Sequence, residues 1–93
     1  MATYTVEFTP RAWRDLDALL PDVADRITLR TEELQERPQP RGDTIKRLQG
    51  IETPTYRFRI GDYRALFQIE GTVVQIFRVI HRSEFDRAVR ELI

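Results

Sequence analysis

The first part of the chain combines an alternating segment with a helical one. Residues 3–8, TYTVEF, alternate between polar and apolar positions, which predicts a short strand. Thr9 is a suitable N-cap and Pro10 suits the first helical turn. Apolar residues then recur at helical spacing at Ala12, Trp13, Leu16, Leu19 and Leu20. We therefore predict a helix that Pro21 ends, with Trp13 in the core rather than on an exposed stacking surface.

A second helical stretch follows directly. Asp22 is a candidate N-cap for it. The apolar stripe of this helix is sparse and consists of Val23, Ile27 and Leu34. Because Arg37 and Pro38 end the pattern and the link to the first helix is short, we expect the two helices to form an antiparallel hairpin. The stretch RPQPRGD predicts a loop, and residues 46–50 show no clear pattern.

From Tyr56 onward the apolar period changes from 3.6 to 2, which is typical of strands. Gly61-Asp62 suits a two-residue type II′ turn, so that Arg59 would lie opposite Arg64, with Ile60 opposite Tyr63 and Phe58 opposite Ala65. One face of this hairpin is apolar: Tyr56, Phe58, Ile60, Tyr63, Ala65, Phe67 and Ile69. The other face carries the arginines: Arg57, Arg59, Arg64, Leu66 and Gln68.

The segment VVQIFRVIHR is apolar on both faces, as expected of a central strand. A three-residue turn at 70–72 would place Arg78 and Arg82 on the arginine face, whereas a two-residue turn would place them on the opposite face. We expect the three-residue turn, since the alternative presses Arg78 against the helices. Ser83 is a candidate cap for a last helix. Its apolar stripe would be Phe85, Ala88, Val89 and Leu92.

Composition is that of a single soluble domain over residues 1–93. The chain is 41% hydrophobic and 32% charged and contains no cysteine. No segment approaches the roughly 18 consecutive apolar residues of a membrane span, and charges within the first 20 residues argue against a signal peptide. We therefore expect a cytoplasmic protein without a membrane partner.

Net charge is zero, but its distribution is uneven. Residues 1–43 hold six basic and nine acidic side chains, while residues 44–82 hold seven basic and three acidic ones. Like charges directly opposed across a strand pair cost about 0.2–1 kcal/mol. The arginine face is therefore either a solvated surface whose cations pair with nearby carboxylates, or an anion site in which guanidinium groups bind phosphate.

The stretch YRFRIGDYRALF, followed by VIHRSEF, resembles the RelE/ParE superfamily of type II toxin–antitoxin toxins, and the RelE branch in particular. The resemblance implies an α+β, RelE-like (microbial-ribonuclease-like) fold with an N-terminal strand, a helix hairpin, a three-stranded antiparallel meander and a short C-terminal helix. It also implies a ribosome-dependent mRNA endonuclease with a cognate antitoxin, the ribosome and mRNA as partners. The alternative is a non-enzymatic ParE-like toxin that binds DNA gyrase, or a RelE-like member whose activity has decayed.

The resemblance also assigns roles to individual basic residues. The catalytic positions correspond to Arg57, Arg59, Arg64 and Arg82. Lys46, Arg47 and Arg78 are further candidates for RNA contacts, although Arg78 suits a buried ion pair equally well. Arginines that stabilise the charge of a phosphoryl transition state are each typically worth about 10²- to 10³-fold in rate.

The residue that handles the proton is less clear. His81 is the single histidine, and its ordinary pKa of about 6.5 suits a general base, although a histidine at a strand end also suits a structural role. Many members of the family end this motif with a catalytic tyrosine, where this chain has Asp86. Asp86 is a second candidate base or a helix cap. The chain lacks HExxH, a glycine-rich phosphate loop and paired cysteines, so we expect no metal or nucleotide cofactor.

Overall fold

The structure, a computed structural model, describes residues 3–93 and consists of a five-stranded mixed sheet with helices on both faces. The strands are β1 (Thr5–Phe8), β2 (Ile45–Arg47), β3 (Tyr56–Ile60), β4 (Tyr63–Glu70) and β5 (Val73–His81). The helices are α1 (Pro10–Asp17), α2 (Pro21–Thr31) and α3 (Phe85–Arg90), with short 3₁₀ turns at Glu32–Gln35 and Arg82–Glu84. The strand order is β1-β5-β4-β3-β2, and among the strands of the described chain only the β1–β5 pair is parallel.

The predicted meander corresponds to β3, β4 and β5, and its first hairpin has the expected register. Arg59 lies opposite Arg64 and Ile60 opposite Tyr63. Gly61 has a φ of +57°, the positive value that a type II′ turn requires at its first central position. The antiparallel part of the sheet is one strand larger than predicted, because β2 pairs along β3 within the stretch that showed no pattern.

The second turn of the meander differs from the prediction. Glu70 lies opposite Val73, so the loop has two residues rather than three. A bulge in β5 at Phe77 then shifts the register, and Arg78 lies opposite Leu66. Because one extra residue reverses which side chains face each way, the bulge returns Arg78 to the Leu66 side of the sheet despite the shorter loop.

The main core lies between α1, α2 and one face of the sheet. Phe58, Phe67 and Ile76 from the sheet are fully buried there with Ile27 and Leu34 from the helical layer. The apolar face predicted for the hairpin is therefore the inner face, which we call the core face. None of the helices formed by residues 3–93 is long and apolar enough to cross a membrane.

The structure confirms one detail predicted for the first helix and corrects two others. Thr9 caps α1 as expected, since its hydroxyl accepts the Ala12 N–H at 3.2 Å. Trp13, however, is 48% exposed and packs on Phe8 instead of entering the core, and Leu20 is 70% exposed. Ala12 and Leu16 form the buried side of α1, so Trp13 lies outside it, and Leu20 lies beyond α1 because that helix ends at Asp17 rather than at Pro21.

The predicted caps of the other two helices are also wrong. The N-cap of α2 is Leu20, because Pro21 takes the first helical position and displaces Asp22 into the first turn. The chain enters α3 through a 3₁₀ turn that the side chain of His81 caps by accepting the Ser83 N–H. Ser83 is therefore the donor in this contact rather than the cap.

The second face of the sheet, which we call the outer face, carries a smaller apolar cluster. Leu66 and Ile80 from the sheet are buried against Ala88 of α3, with Leu48, Phe77 and Phe85 around them. The C-terminal helix thus covers part of the outer face, and the remainder is available for the arginines.

Candidate anion-binding site

The register of three neighbouring strands gathers basic side chains on the outer face. Lys46 lies opposite Arg57, and Arg59 lies opposite Arg64. Since side chains alternate between the two faces of a strand, all four project away from the main core. Arg82 follows β5, and its N–H donates to the carbonyl of Asp62 in the same hairpin at 2.7 Å. We call this set the basic cluster: Lys46, Arg57, Arg59, Arg64 and Arg82.

A single carboxylate, Asp43, contacts three members of the cluster. Its Oδ1 accepts from Lys46 Nζ at 3.2 Å and Arg57 Nη2 at 3.1 Å, and its Oδ2 accepts from Arg59 Nη1 at 2.6 Å. Arg57 Nη1 also donates to the main-chain oxygen of Asp43 at 2.9 Å. Hydrogen bonds from Lys46, Arg59 and Arg57, in that order, lower the pKa of Asp43, so this side chain is charged at neutral pH.

Arg64 differs from its neighbours because its hydrogen bonds go to the main chain. Its Nη1 donates to the carbonyls of Gly61 and Tyr63, each at 2.9 Å, and no carboxylate of residues 3–93 forms an ion pair with it. Burial, followed by the charges of Arg57 and Arg59, lowers its pKa. An arginine nevertheless remains protonated in proteins, so Arg64 holds a positive charge that no direct ion pair within residues 3–93 neutralises.

Arg82 is only loosely held. Its Nε lies 3.7 Å from Asp62 Oδ1, and both side chains are about two-thirds exposed, at 65% and 66%. An exposed ion pair of this kind contributes little to stability. Arg82 is therefore free to turn toward a ligand on the outer face.

The structure does not bring His81 together with the basic cluster. His81 lies opposite Tyr63, and their rings meet edge to face on the core face of the sheet, at 5.3 Å between centroids. Its Nδ1 accepts the Ser83 N–H at 3.1 Å and lies 2.8 Å from Ser83 Oγ. The contact with the Ser83 N–H gives His81 a capping role at the start of the turn that leads into α3.

The other two predicted RNA contacts also lie apart from the cluster. Arg78 Nε donates to Asp15 Oδ2 at 2.9 Å, and Asp15 also accepts the Val79 N–H at 2.9 Å. The side chains of Arg78 and Asp15 are mostly buried. Through these two contacts, Asp15 of α1 pairs with Arg78 and covers the edge of β5 beyond the end of β1. Arg47 lies opposite Tyr56, which places it on the core-face side at the exposed edge strand.

Within the described residues 3–93, no phenol or imidazole joins the arginines on the outer face. The three tyrosines, Tyr4, Tyr56 and Tyr63, all pack against the main core. Asp86 is exposed in the first turn of α3. Among residues 3–93, no three His, Cys, Asp or Glu side chains gather in a way that could hold a metal ion.

Asp43 is the residue of this site that the sequence interpretation missed. It belongs to the acidic first half of the chain and sits in a turn, directly after Gly42 and just before the basic strand β2. A glycine–aspartate turn leading into a strand that pairs with the arginine hairpin is the signal that could have identified it. That signal becomes visible only when β2 is recognised as a strand.

These features define a small α+β protein with a basic, arginine-rich sheet face. The family model described as "ParE toxin of type II toxin-antitoxin system, parDE" matches residues 6–84. The chain belongs to this family of toxins, within the RelE/ParE superfamily. The superfamily and the α+β RelE-like fold expected from the sequence are thereby confirmed.

Individual relatives point in the same direction. The chain is 39% identical to Toxin RelG of Mycobacterium tuberculosis over 88 residues, which cover 90% of this chain and 97% of that protein. It matches a chain of the toxin–antitoxin complex RelBE2 of M. tuberculosis with a TM-score of 0.75 and 35% identity, covering 86% and 99% of the two chains. A chain of the archaeal RelE–RelB complex of Pyrococcus horikoshii OT3 matches with a TM-score of 0.71 and 26% identity, covering 86% and 96%.

Proposed function

We propose that this toxin is a ribosome-dependent mRNA endonuclease whose basic cluster holds the scissile phosphate. The observation that carries the proposal is the convergence of four arginines and a lysine on the outer face, where the side chain of Arg64 bonds main-chain carbonyls and forms no ion pair with a carboxylate of residues 3–93. Guanidinium groups bind phosphate oxygens through two parallel hydrogen bonds. An energetically unfavourable cluster of like charges is readily explained if an anion binds there.

The reaction would use the ribose 2′-hydroxyl as the nucleophile. This hydroxyl attacks the adjacent phosphorus in line with the leaving 5′-oxygen, and negative charge increases on the two non-bridging oxygens. Arg64, which has no competing carboxylate, would stabilise that charge, while Arg57, Arg59 and Lys46 would hold the phosphate in place. Arg82, at the end of the same hairpin, would contact a neighbouring phosphate. Charge stabilisation by positioned donors is the largest single term in many such reactions.

The proposal leaves proton transfer to a group outside the basic cluster. His81 faces the other side of the sheet and Asp86 is exposed on α3. Either residue could act only through a substrate that reaches around the strand end. A ribosome-bound substrate could also receive this help from the ribosome itself, which fits a toxin that acts only there.

A cognate antitoxin is the second part of the proposal. The matched chain of M. tuberculosis belongs to a toxin–antitoxin complex, RelBE2, and that of P. horikoshii belongs to a RelE–RelB complex. In this chain the helical layer exposes Leu20 at 70%, Leu29 at 65% and Trp13 at 48%. We expect the antitoxin to cover this apolar surface and part of the basic cluster. Failure of the toxin to co-purify with the product of the adjacent open reading frame would contradict this.

A ParE-like toxin that binds DNA gyrase without cleaving RNA is the alternative function. The absence of a phenol on the outer face of the described chain favours it, because the catalytic tyrosine of many RelE-like members has no counterpart here. In this alternative the arginines would bind a protein or DNA surface and would not need to stabilise a reacting phosphate.

A translation assay separates the two functions. Purified toxin would be added to a reconstituted translation reaction, and mRNA cleavage would be mapped by primer extension. We expect cuts within ribosome-bound codons by the parental chain, about 10²-fold or more slower cutting by Arg64→Ala, and unchanged cutting by Arg14→Ala. Arg14 is a matched control because it is an exposed arginine on α1. Intact mRNA together with gyrase-dependent DNA breaks would instead establish the alternative.

A further inference from the structure

The centre of the basic cluster already contains an anion that belongs to the protein. Both oxygens of Asp43 accept hydrogen bonds from cluster side chains, at distances of 2.6 to 3.2 Å. A phosphodiester presents two non-bridging oxygens that share one negative charge, just as a carboxylate does. The same fork of donors can therefore bind either group, but not both at once.

The contacts of Asp43 are of a kind that exchanges easily. Its side chain is 59% exposed, and the two partners Lys46 and Arg59 are 54% and 52% exposed. Exposed ion pairs contribute little to stability, because water and salt compete with them. Asp43 also sits in a turn after Gly42, whose φ is +49° and which has open space around it.

Arg57 is the fixed member of the group. Its side chain is only 13% exposed, and its Nη1 is held separately by the main-chain oxygen of Asp43 at 2.9 Å. That second hydrogen bond does not depend on the carboxylate. If the Asp43 side chain turned away, Arg57 would keep its position and its Nη2 would become free.

We propose that the Asp43 carboxylate occupies the phosphate position of the basic cluster in the free protein and that a phosphodiester displaces it. The proposal rests on the proposed function for the nature of the ligand, and it makes Asp43 an intramolecular competitor. A ligand with several phosphates, which also reaches Arg64 and Arg82, displaces Asp43 more readily than a single small anion does. Asp43 thus favours long nucleic acid over free phosphate.

A general-base role for Asp43 fits the structure less well. Both of its oxygens already accept hydrogen bonds from cations, which makes the carboxylate a weak proton acceptor. Displacement by the substrate would also move the carboxylate away from the reacting atoms.

The first test compares sulfate binding to three forms of the toxin by isothermal titration calorimetry at low ionic strength. Sulfate serves as the probe because it is a dianion with phosphate-like geometry. We expect Asp43→Asn to bind sulfate about tenfold more tightly than the parental chain, the order that release of three exposed ion pairs allows. Asp25→Asn makes the same charge change at an exposed position of α2, and its affinity for sulfate should remain within about twofold of the parental value. Equal or weaker binding by Asp43→Asn than by Asp25→Asn would overturn the proposal.

A second measurement uses the unaltered protein and so does not depend on the folding of a variant. The carboxyl carbon of Asp43 would be titrated by NMR with and without saturating sulfate. The charged groups that face it are Lys46 from β2, Arg57 and Arg59 from β3 and, at longer range, Arg64 from β4. Displacement should raise the pKa of Asp43 toward the ordinary range of an aspartate, because the carboxylate loses its hydrogen bonds to the three cations. By linkage, lower pH should then strengthen sulfate binding. If the pKa of Asp43 stayed equally low with and without sulfate, displacement would be refuted.

A cleavage assay on the same preparations separates this proposal from the proposed function. If Asp43→Asn binds sulfate more tightly while the parental chain cuts no mRNA, the displacement stands and the nuclease function fails. If the parental chain cuts mRNA and Asp43→Asn binds sulfate more weakly, the nuclease stands and the displacement fails.

Discussion

The two faces of the β3–β4 hairpin are built from alternate residues of the same dozen positions, yet they differ in almost every physical respect. On the core face Phe58, Ala65 and Phe67 are fully buried. On the outer face, one residue away in each case, Arg57, Arg59 and Arg64 stand close together with one shared carboxylate.

We therefore assign most of the stability of the hairpin to the core face, and we propose the arginine-bearing part of the outer face, beside the smaller apolar cluster of Leu66 and Ile80, as the anion site. Burial of apolar surface supplies most of the folding free energy, so the core face can hold the hairpin together while the outer face bears repulsion between like charges. A substitution on the core face should therefore change stability first. A substitution in the basic cluster should change function and leave stability nearly unaltered.

The largest expected effect on stability is on the core face. Phe58→Ala removes a fully buried aromatic side chain that also lies beneath the guanidinium of Arg30, 5.5 Å from the ring centroid. We expect the free energy of unfolding to fall by about 3–5 kcal/mol, as measured by urea denaturation. Phe58→Leu, which keeps much of the side-chain volume, should lower the free energy of unfolding clearly less. A small loss with Phe58→Ala would mean that the core face does not hold the hairpin.

The second prediction concerns the matching position on the outer face. Arg64→Ala should leave the free energy of unfolding unchanged or raise it by up to about 1 kcal/mol, because it relieves repulsion with Arg59, while cleavage of ribosome-bound mRNA falls by about 10²-fold or more. Melting curves and cleavage rates would come from one preparation. The double variant with Arg59→Ala would report the coupling between the two arginines. A destabilised Arg64→Ala that still cuts at the parental rate per folded molecule would contradict the separation of faces.

The third prediction tests whether Arg78, which lies on the Leu66 side of the sheet, serves stability through its ion pair with Asp15. Asp15→Ala removes both the ion pair with Arg78 and the acceptor for the Val79 N–H, and should cost about 1.5–3 kcal/mol. The control is Arg11→Ala, which removes an exposed partner of the same carboxylate, 3.4 Å away, and should cost at most about 0.5 kcal/mol. Cleavage per folded molecule should be unchanged in both variants. A selective loss of cleavage in Asp15→Ala would restore Arg78 to the RNA site.

The smallest expected effect is a dependence of stability on acid pH. Hydrogen bonds from Lys46, Arg59 and Arg57 lower the pKa of Asp43. Burial acts to raise the pKa of Glu33, but hydrogen bonds from Arg30 and Arg41 outweigh it, so that pKa is lowered too. A carboxylate with a lowered pKa in the folded state contributes stability above its unfolded pKa and loses it as the pH falls through the folded value.

Stability should therefore be constant near neutral pH and fall below about pH 4, the ordinary range of carboxyl groups. Thermal melts at a series of pH values would show this. Glu33→Gln should flatten the acid part of the curve, and Asp43→Asn should flatten it as well. An acid loss equal to the parental one in both variants would place its origin in other carboxylates.

The sequence predicted those parts of the fold that local chemistry determines. The hairpin register followed from Gly61, whose positive φ sets the turn, and from strict alternation on both sides of it. The cap at Thr9 followed from its position before Pro10. With this register known, the opposition of Arg59 and Arg64 needed no further information.

The parts that the sequence did not predict depend on distant contacts. The β2 strand has only three residues, two of them charged, and exists because β3 offers it a partner. The bulge at Phe77 depends on how β4, β5 and α3 pack together, and no residue type at this position predicts it. Trp13 has the spacing of a core residue, but its side of α1 meets Phe8 at the surface.

The candidate site was therefore predicted in part. Arg57, Arg59, Arg64, Arg82 and Lys46 do come together, whereas His81, Arg47 and Arg78 lie elsewhere. For His81 the parity of the strand decides the matter, because it places the ring on the core face beside Tyr63. The expected three-residue turn gives residues 78–82 the same parity as the observed two-residue loop and bulge together, so it already implied that His81 faces away from Arg78 and Arg82.

The parallel pairing of β1 with β5 has a consequence for how the chain folds. Thr9, just after β1, bonds to Phe77 across a separation of 68 positions. The β3–β4 hairpin can form by itself in microseconds, but such a distant contact must close a long loop first. During synthesis on the ribosome, β1 cannot pair with β5 until β5 has left the exit tunnel. We expect the β3–β4 hairpin to form early and the helices to pack on the sheet late. In pulse-labelled hydrogen exchange, the amide protons of β4 should therefore become protected before those of β1.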